Sequence, residues 1–383
     1  MNKTGNKLFE LNFLFLAVIL LMISFVAVSC SDSENDNLDG DLEDGEAETE
    51  IEDDALIDGD DDTSENPIDG DMDSEQVEEE EEAEVSATFR FVAMADTHII
   101  DDYYVGPEGS ELDTETIYKT KERFENARSL INSYTKHPIE LVFIAGDFVH
   151  NYPKIDGYDN TDLQTYRDNY TRFDIAKEIA DGFNMPVYPG MGNHDYDVGD
   201  IPREVTNQLY KEKYGIDPYY KVDHKGWRFI HANNYLGETC NPESDLYNCK
   251  SGSFGKEQLE WMESLLADNM PTVIFLHHPV AGTSILEPQV DKSFHDLLKN
   301  YEDSIKLVVA GHVHMYLDFQ TDYGPQHWSV GSTRYDGDAF FIIEANSETG
   351  EYSIVNRDCF QILGSITVPF DEEKGCLYTE ETE

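Results

Sequence analysis

Between Phe89 and Arg357 the chain repeats one pattern: a short apolar run, a polar break, then a longer stretch with apolar residues every three or four positions. Phe89–Ala95 closes on Asp96, Ile139–Ala145 on Gly146-Asp147, and Pro186-Val187-Tyr188-Pro189 on Gly192-Asn193-His194-Asp195. Trp227–Ala232 follows, then Thr272–Leu276 before His277-His278-Pro279 and Ile305–Ala310 before Gly311-His312-Val313-His314. Runs of this length predict buried strands. Between them, Ile117, Phe124, Ala127, Leu130 and Ile131 predict a helix over Glu115–Tyr134. Further helices are predicted over Leu163–Phe183, Gln258–Ala267 and residues 291–300. Shorter alternating runs at 326–331, 338–345 and 351–357 predict antiparallel strands. The alternation of strand and helix predicts an α/β core whose later strands complete a second sheet.

Five of the apolar runs end on side chains able to bind a metal: Asp96 and His98, Asp147, Asn193 and His194, His277 and His278, His312 and His314. Sites in open α/β sheets gather at the carboxyl ends of strands. One polar strand end is ordinary, but five that supply only Asp, His and Asn are not explained as isolated core polar groups. Asp-x-His and His-x-His each place two side chains on one face of an extended segment. Carboxylate, imidazole and amide together suit zinc, manganese or iron(II) better than a soft copper site or an all-oxygen calcium site. Within the third motif, Gly192 permits a tight turn, Asn193 offers a neutral oxygen and His194 can move a proton near neutral pH. Asp195 is a candidate for holding the His194 ring in one tautomer.

Composition divides the chain into three parts. Residues 1–30 combine Lys3 and Lys7, an apolar run from Leu11 to Val28, and small residues before Cys30. This is the pattern of a secretory signal peptide. Ala27-Val28-Ser29-Cys30 resembles the lipobox of bacterial lipoproteins, which implies cleavage before Cys30 and lipidation of that residue. The competing reading is an uncleaved anchor, because the run approaches the length of a bilayer span. Either reading makes the remainder an exported, membrane-attached protein. From Ser31 to Ser86 there are 28 Asp or Glu and no Lys or Arg, so this stretch carries about half of the formal charge of −54. Asp-Gly-Asp recurs at 39–41, 58–60 and 69–71, without the spacing of an EF-hand loop. So much self-repulsion with so little apolar surface predicts a disordered, extended tether.

Residues 87–383 are then one domain, ample for a sizeable core. It remains acidic and offers no basic stripe to neutralise phosphates, which argues against nucleic acid as the main partner. Cys240 and Cys249, and Cys359 and Cys376, flank short segments, and two local disulfides are the simple expectation in an oxidising compartment. Zinc binding is the alternative, though no Cys-x-x-Cys pair supports it. No feature of the sequence specifies an oligomeric state.

The ordered series Asp96-Thr97-His98, Gly146-Asp147, Gly192-Asn193-His194-Asp195, His277-His278-Pro279 and Gly311-His312-Val313-His314 resembles that of the calcineurin-like metallophosphoesterases. The resemblance implies a four-layer α/β/β/α sandwich and a phosphoester substrate. It implies two divalent transition-metal ions (manganese, zinc or iron): Asp96, His98 and His314 would hold one, Asn193, His277 and His312 the other, and Asp147 would bridge them. His194 would contact the phosphoryl group and protonate or stabilise the leaving oxygen. A hydroxide between the metals would be the nucleophile, with no phosphoenzyme. The family motif has its ligand two residues before the proline, which selects His277 and leaves His278 at the rim or behind the ligands. His150 stands where purple acid phosphatases carry a tyrosine ligand to ferric iron; it is a candidate for reaching substrate, or an exposed loop histidine.

Within the superfamily, Asp-Thr-His and Gly-His-Val-His are also similar to bacterial cyclic-nucleotide phosphodiesterases, and diester hydrolysis is slightly favoured over monoester hydrolysis. Tyr103, Tyr104, Asn151, Tyr152, Tyr196 and Arg334 lie beside the motifs and are candidate pocket residues. A non-catalytic binding lipoprotein on the same fold is the alternative; the filled set of metal positions disfavours it.

Overall fold

The computed structural model describes residues 87–106, 111–197, 200–248, 251–279, 292–319, 324–360 and 362. The leader, Cys30, the acidic tether, Cys249 and Cys376 lie outside the described residues. Among those described, no helix is long and apolar enough to cross a membrane.

The strands are β1 (Thr88–Met94), β2 (Ile139–Ile144), β3 (Val187–Pro189), β4 (Tyr220–His224), β5 (Trp227–His231), β6 (Thr272–Leu276), β7 (Ile305–Ala310), β8 (Leu317–Asp318), β9 (Gln326–Ser329), β10 (Phe340–Asn346) and β11 (Tyr352–Ile354). The helices are α1 (Glu111–Ile117), α2 (Thr120–Asn132), α3 (Leu163–Asp168), α4 (Arg172–Asp181), α5 (Asn193–Tyr196), α6 (Arg203–Tyr214), α7 (Lys256–Leu266) and α8 (Phe294–Asn300). They build a five-stranded sheet in the order β11-β10-β1-β2-β3 and a six-stranded sheet in the order β4-β5-β6-β7-β9-β8. β1, β2 and β3 run parallel, as do β5, β6, β7 and β9, so the motif-bearing ends of each group point one way.

Alternation along the strands explains the layering. Phe91, Ala93 and Phe143 meet Phe229, Phe275 and Val309 in an apolar layer between the sheets. On the opposite face, Val92, Met94, Val142 and Ile144 pack with Phe124, Ala127 and Ile131 of α2 and Phe173, Ala176 and Ile179 of α4. Ile230, Ile274 and Val308 likewise cover their outer face with Leu259 and Met262 of α7 and Leu297 and Leu298 of α8. The result is the four-layer α/β/β/α arrangement.

Several expectations are corrected. The two long helices expected over 115–134 and 163–183 are each two helices. In the second, Asn169 turns its amide back onto the Thr165 carbonyl (2.8 Å) and Asp174 accepts from the Thr171 amide (2.9 Å), which ends one helix and starts another. That break carries Arg172 into the interior, where it pairs with Asp101 (2.8 Å) and donates to the carbonyls of His150 and Asn151. The last strands do not all complete the second sheet. β9 lies there, parallel to β7, whereas β10 returns to the first sheet antiparallel to β1. α5, α6 and β4 have apolar patterns too short or too polar to announce themselves.

Two stability measurements follow from this packing. Phe143 stacks on Phe229 (centroids 4.7 Å apart) and Phe275 (4.6 Å) between the sheets. Phe143→Ala is expected to cost about 3–5 kcal/mol in denaturant unfolding; a cost near zero would show that the layer closes over the gap. Arg172→Ala strands Asp101 in the interior and is expected to cost a similar ~3–5 kcal/mol. An unchanged unfolding midpoint would remove the pair from any structural role.

Candidate metal centre

Strand register sets the first coordinate of the site. Met94 pairs with Ile144 and Ile144 with Pro189, while Leu276 pairs with Ala310. The loops leaving these ends are tied together by backbone hydrogen bonds. The Asp96 amide donates to the Gly146 carbonyl (3.1 Å), that of His98 to Asp147 (2.9 Å) and that of Gly311 to His277 (3.1 Å).

The conformation after the strands differs from the extended one expected. Asp96, His98, Asp147, His312 and His314 have φ of 56°, 48°, 49°, 70° and 55°, five of the nine non-glycine residues with positive φ among those described. Simple strand alternation therefore does not aim these side chains; consecutive sharp turns do. Such a conformation is uncommon outside glycine and is held by surrounding structure. Close approach accounts for two of the motif glycines. A Cβ on Gly192 would fall 2.3 Å from Asp147 Oδ1, and one on Gly311 would fall 2.8 Å from both Asp96 Oδ2 and the Ala145 carbonyl.

The side chains so delivered converge in two groups that share one carboxylate. In the first, His98 Nε2 lies 3.1 Å from His314 Nε2 and 3.9 Å from Asp96 Oδ1, while His314 Nε2 is 3.3 Å from Asp96 Oδ1. In the second, Asn193 Oδ1 is 3.1 Å from both His277 Nε2 and His312 Nδ1. Asp147 Oδ2 joins them, 3.6 Å from His98 Nε2 and 3.1 Å from His277 Nε2. The donor atoms of Asp96, His98, Asp147 and His314 all lie within 4.8 Å of one another. Two imidazole nitrogens facing each other at 3.1 Å can share at most one proton, and three of these four residues are buried. That donor set fits a divalent transition ion. His277 is turned the right way to serve as a ligand, since its Nδ1 faces the Ala145 carbonyl (3.0 Å) and its Nε2 faces the cluster.

Electrostatics agree with the geometry. Burial works against the Asp147 carboxylate, but the imidazoles of His277, His194 and His98 outweigh it and hold its pKa well below the usual range. Burial also works against a charged His277, yet the Asp147 charge pushes its pKa up to about 9. Burial dominates at His98, whose pKa falls well below normal, and at His194, whose pKa falls to about 3.

The remaining candidates separate. His194 stands beside both groups; its amide donates to Asp147 Oδ1 (2.9 Å), and its Nδ1 meets Asn151 Oδ1 at 2.5 Å. Asn151, not Asp195, orients the His194 ring. Asp195 instead accepts from the amides of Phe148 (3.2 Å), Val149 (3.0 Å) and Gly192 (2.7 Å) and from the Tyr210 hydroxyl. His150 is no exposed loop residue: it is buried, its Nδ1 is 3.1 Å from His98 Nδ1, and its ring stacks on His194 (4.6 Å, 21°). His278 is buried too, with Nε2 2.8 Å from the Tyr235 hydroxyl, which also lies 3.3 Å from Asn193 Oδ1.

Tyr152 and Tyr196 are core residues bonded to Thr206 and Asn207. Arg334 is buried and donates to the Asp113 carbonyl. Of the expected pairing of Cys240 with Cys249, only Cys240 is described; it is buried, with Sγ 3.5 Å from the Ser251 carbonyl. Tyr235, Tyr210, Arg172 and Asp101 carried no sequence signal, because each acts across long separations in the chain.

No curated protein sequence matches the chain. Similar solved structures include a dimetal phosphatase from Danio rerio, with 16% identity and a TM-score of 0.48 over 67% of this chain and 92% of that one. A 5′-nucleotidase from Candida albicans shares 12% identity (TM-score 0.39, 67% of this chain and 47% of that one). An NAD nucleotidase from Haemophilus influenzae shares 14% (TM-score 0.36, 70% and 49%), so the chain spans about half the length of each nucleotidase. The profile of the calcineurin-like phosphoesterases matches residues 89–316, which contain the whole convergent cluster. That match extends over more than half of the 383 residues, and the chain belongs to the calcineurin-like phosphoesterase family.

Proposed function

We propose that the protein is a metal-dependent phosphoester hydrolase working through two divalent ions, with a slight preference for diesters over monoesters. The observation that carries this reading is the position of Asp147 Oδ2 between His98 Nε2 (3.6 Å) and His277 Nε2 (3.1 Å), one from each group of donors. Asp96, His98 and His314 would hold one ion, Asn193, His277 and His312 the other, and Asp147 both. Bound there, the ions would supply Lewis-acid polarisation of the phosphoryl group and water activated at neutral pH.

The chain's own residues do the rest. Asn151 accepts from His194 Nδ1–H and so leaves His194 Nε2 to meet the phosphoryl group and the leaving oxygen. The negative charge of a bound phosphoryl group favours the protonated imidazole and opposes the effect of burial on its pKa. The Tyr235 hydroxyl steadies Asn193 Oδ1, and the Ala145 carbonyl fixes the His277 tautomer. We further propose that the domain is exported and attached to a membrane through lipid on Cys30, a reading supported by the leader pattern alone.

Hydrolysis of bis(p-nitrophenyl) phosphate and p-nitrophenyl phosphate with manganese or zinc tests the first reading, and no turnover of a broad phosphoester panel with any metal overturns it. Asp147→Asn is expected to lose bound metal, measured by elemental analysis. His194→Ala should retain metal and lose rate on the order of 10²–10⁴-fold, and Asn151→Ala should reproduce part of that loss. A wild-type rate in His194→Ala removes the role given to that residue. For the anchor, Cys30→Ser is expected to abolish metabolic lipid labelling; undiminished labelling refutes lipidation at Cys30.

A further inference from the structure

The imidazole of His150 lies outside both groups of donors, yet it is buried and touches both His98 and His194. Its backbone is fixed on two sides: its amide donates to the Ile99 carbonyl (3.0 Å), and its own carbonyl accepts from Arg172 Nη1. Its ring stands 5.2 Å from that of His98, 4.6 Å from that of His194 and 5.7 Å from that of Tyr104.

The contact with His98 has a direction. His98 Nε2 points into the first group of donors, 3.1 Å from His314 Nε2 and 3.6 Å from Asp147 Oδ2, whereas His98 Nδ1 lies 3.1 Å from His150 Nδ1. The two nitrogens of an imidazole diverge, so His150 stands behind the His98 ring. The donor atoms of Asp96, His98, Asp147 and His314 gather without it; His150 gathers instead with His98 and His194. A ligating imidazole nitrogen carries no proton, so His98 serving as a ligand through Nε2 is protonated at Nδ1. That proton points at His150 Nδ1, which accepts it only as a bare nitrogen, so His150 carries its own proton on Nε2. Metal-binding histidines ordinarily donate this second N–H to a carboxylate, a carbonyl or water, and the partner fixes tautomer and ring orientation. His277 follows that rule with the Ala145 carbonyl; His98 has an imidazole in that place.

The contact with His194 is made by the ring face. The two planes are 21° apart, so His150 limits the tilt of the His194 ring, while Asn151, the next residue, meets His194 Nδ1 at 2.5 Å. One short segment thus brings a face contact and an edge hydrogen bond to the same imidazole. Arg172 donates to the carbonyls of both residues and is itself paired with Asp101 (2.8 Å). We infer that His150 is a positioning residue for both halves of the site: its Nδ1 accepts from His98 and aims His98 Nε2 at the first ion, and its ring face seats His194. This assignment rests on the phosphoesterase reading above.

Two substitutions separate these roles. His150→Asn can place an acceptor oxygen near the position of Nδ1 but has no ring; His150→Phe keeps a flat ring but has no acceptor. Manganese binding to the metal-free full chain is measured by equilibrium dialysis, and hydrolysis of bis(p-nitrophenyl) phosphate is measured at saturating manganese. His150→Phe is expected to weaken one manganese-binding step about 10–100-fold, the usual effect of removing such a partner, while His150→Asn retains most of the affinity. In kcat the order should reverse, with His150→Asn losing roughly two- to tenfold more than His150→Phe, the range of one aromatic contact. A general loosening of the fold would lower both quantities together in each variant, so the reversal is the signature of positioning.

Manganese affinity unchanged in both variants overturns the assignment while hydrolysis by the wild type leaves the phosphoesterase reading intact. Loss of a bound ion in both variants alike would make His150 a ligand itself and also overturns it. A wild type that shows the expected order of affinities but hydrolyses no phosphoester upholds the contact with His98 and refutes the phosphoesterase reading.

Discussion

The structure depends on one buried carboxylate. Asp147 leaves the end of a strand in the first sheet at positive φ, and its two oxygens then face different parts of the molecule. One accepts from the His194 amide, and the other lies between imidazoles that come from the first sheet (His98) and the second (His277). A carboxylate removed from water must be compensated by charge or hydrogen bonds. Here that requirement draws the strand ends of both sheets to one point. The apolar layer between the sheets sets how far apart they stand; Asp147 sets where their ends meet.

A second carboxylate makes the first possible. Asp195 gathers the amides of Phe148 and Val149 from the loop after Asp147 and that of Gly192 from the loop before Asn193, so it fixes the two loops to each other. Burial, and then the charge of Asp147, raise its pKa to about 7, which is the electrostatic cost of placing two acids so close. The Tyr210 hydroxyl and the amides of Val149 and Gly192 oppose that rise. Positive φ at Asp96, His98, Asp147, His312 and His314 is held in the same way: each residue's backbone or side chain meets a neighbouring loop.

How much of this was legible depended on distance along the chain. Thr272–Leu276 and Ile305–Ala310 were visible to the residue, because buried parallel strands read as unbroken apolar runs bounded by turn residues. The side chains of the Asp, His and Asn cluster were visible because they follow those runs directly. Helix breaks were not: at Asn169 and Thr171 the apolar spacing continues while side-chain hydrogen bonds stop the helix. Nor was the partner of His194. Asp195 is its neighbour in sequence, yet a four-residue helix turns the two side chains apart, and Asn151 arrives from another loop. His150 was misjudged on one side for the same reason, since nothing local announces that Arg172 draws its carbonyl inward.

This asymmetry explains why the reaction is easier to read than the substrate. A divalent-metal site demands side chains such as Asp, His and Asn at strand ends, and few other residues can replace them. Gripping a leaving group demands only a shaped surface. Tyr316 and Tyr335 are ordinary loop residues taken singly; Phe360 stacks on the first and Asp113 accepts from the hydroxyl of the second. Those supports come from both earlier and later in the chain, and from no motif. Chemistry is therefore written in residue type and selectivity in the packing behind it, so loops that leave the donor set untouched can change the substrate without changing the reaction.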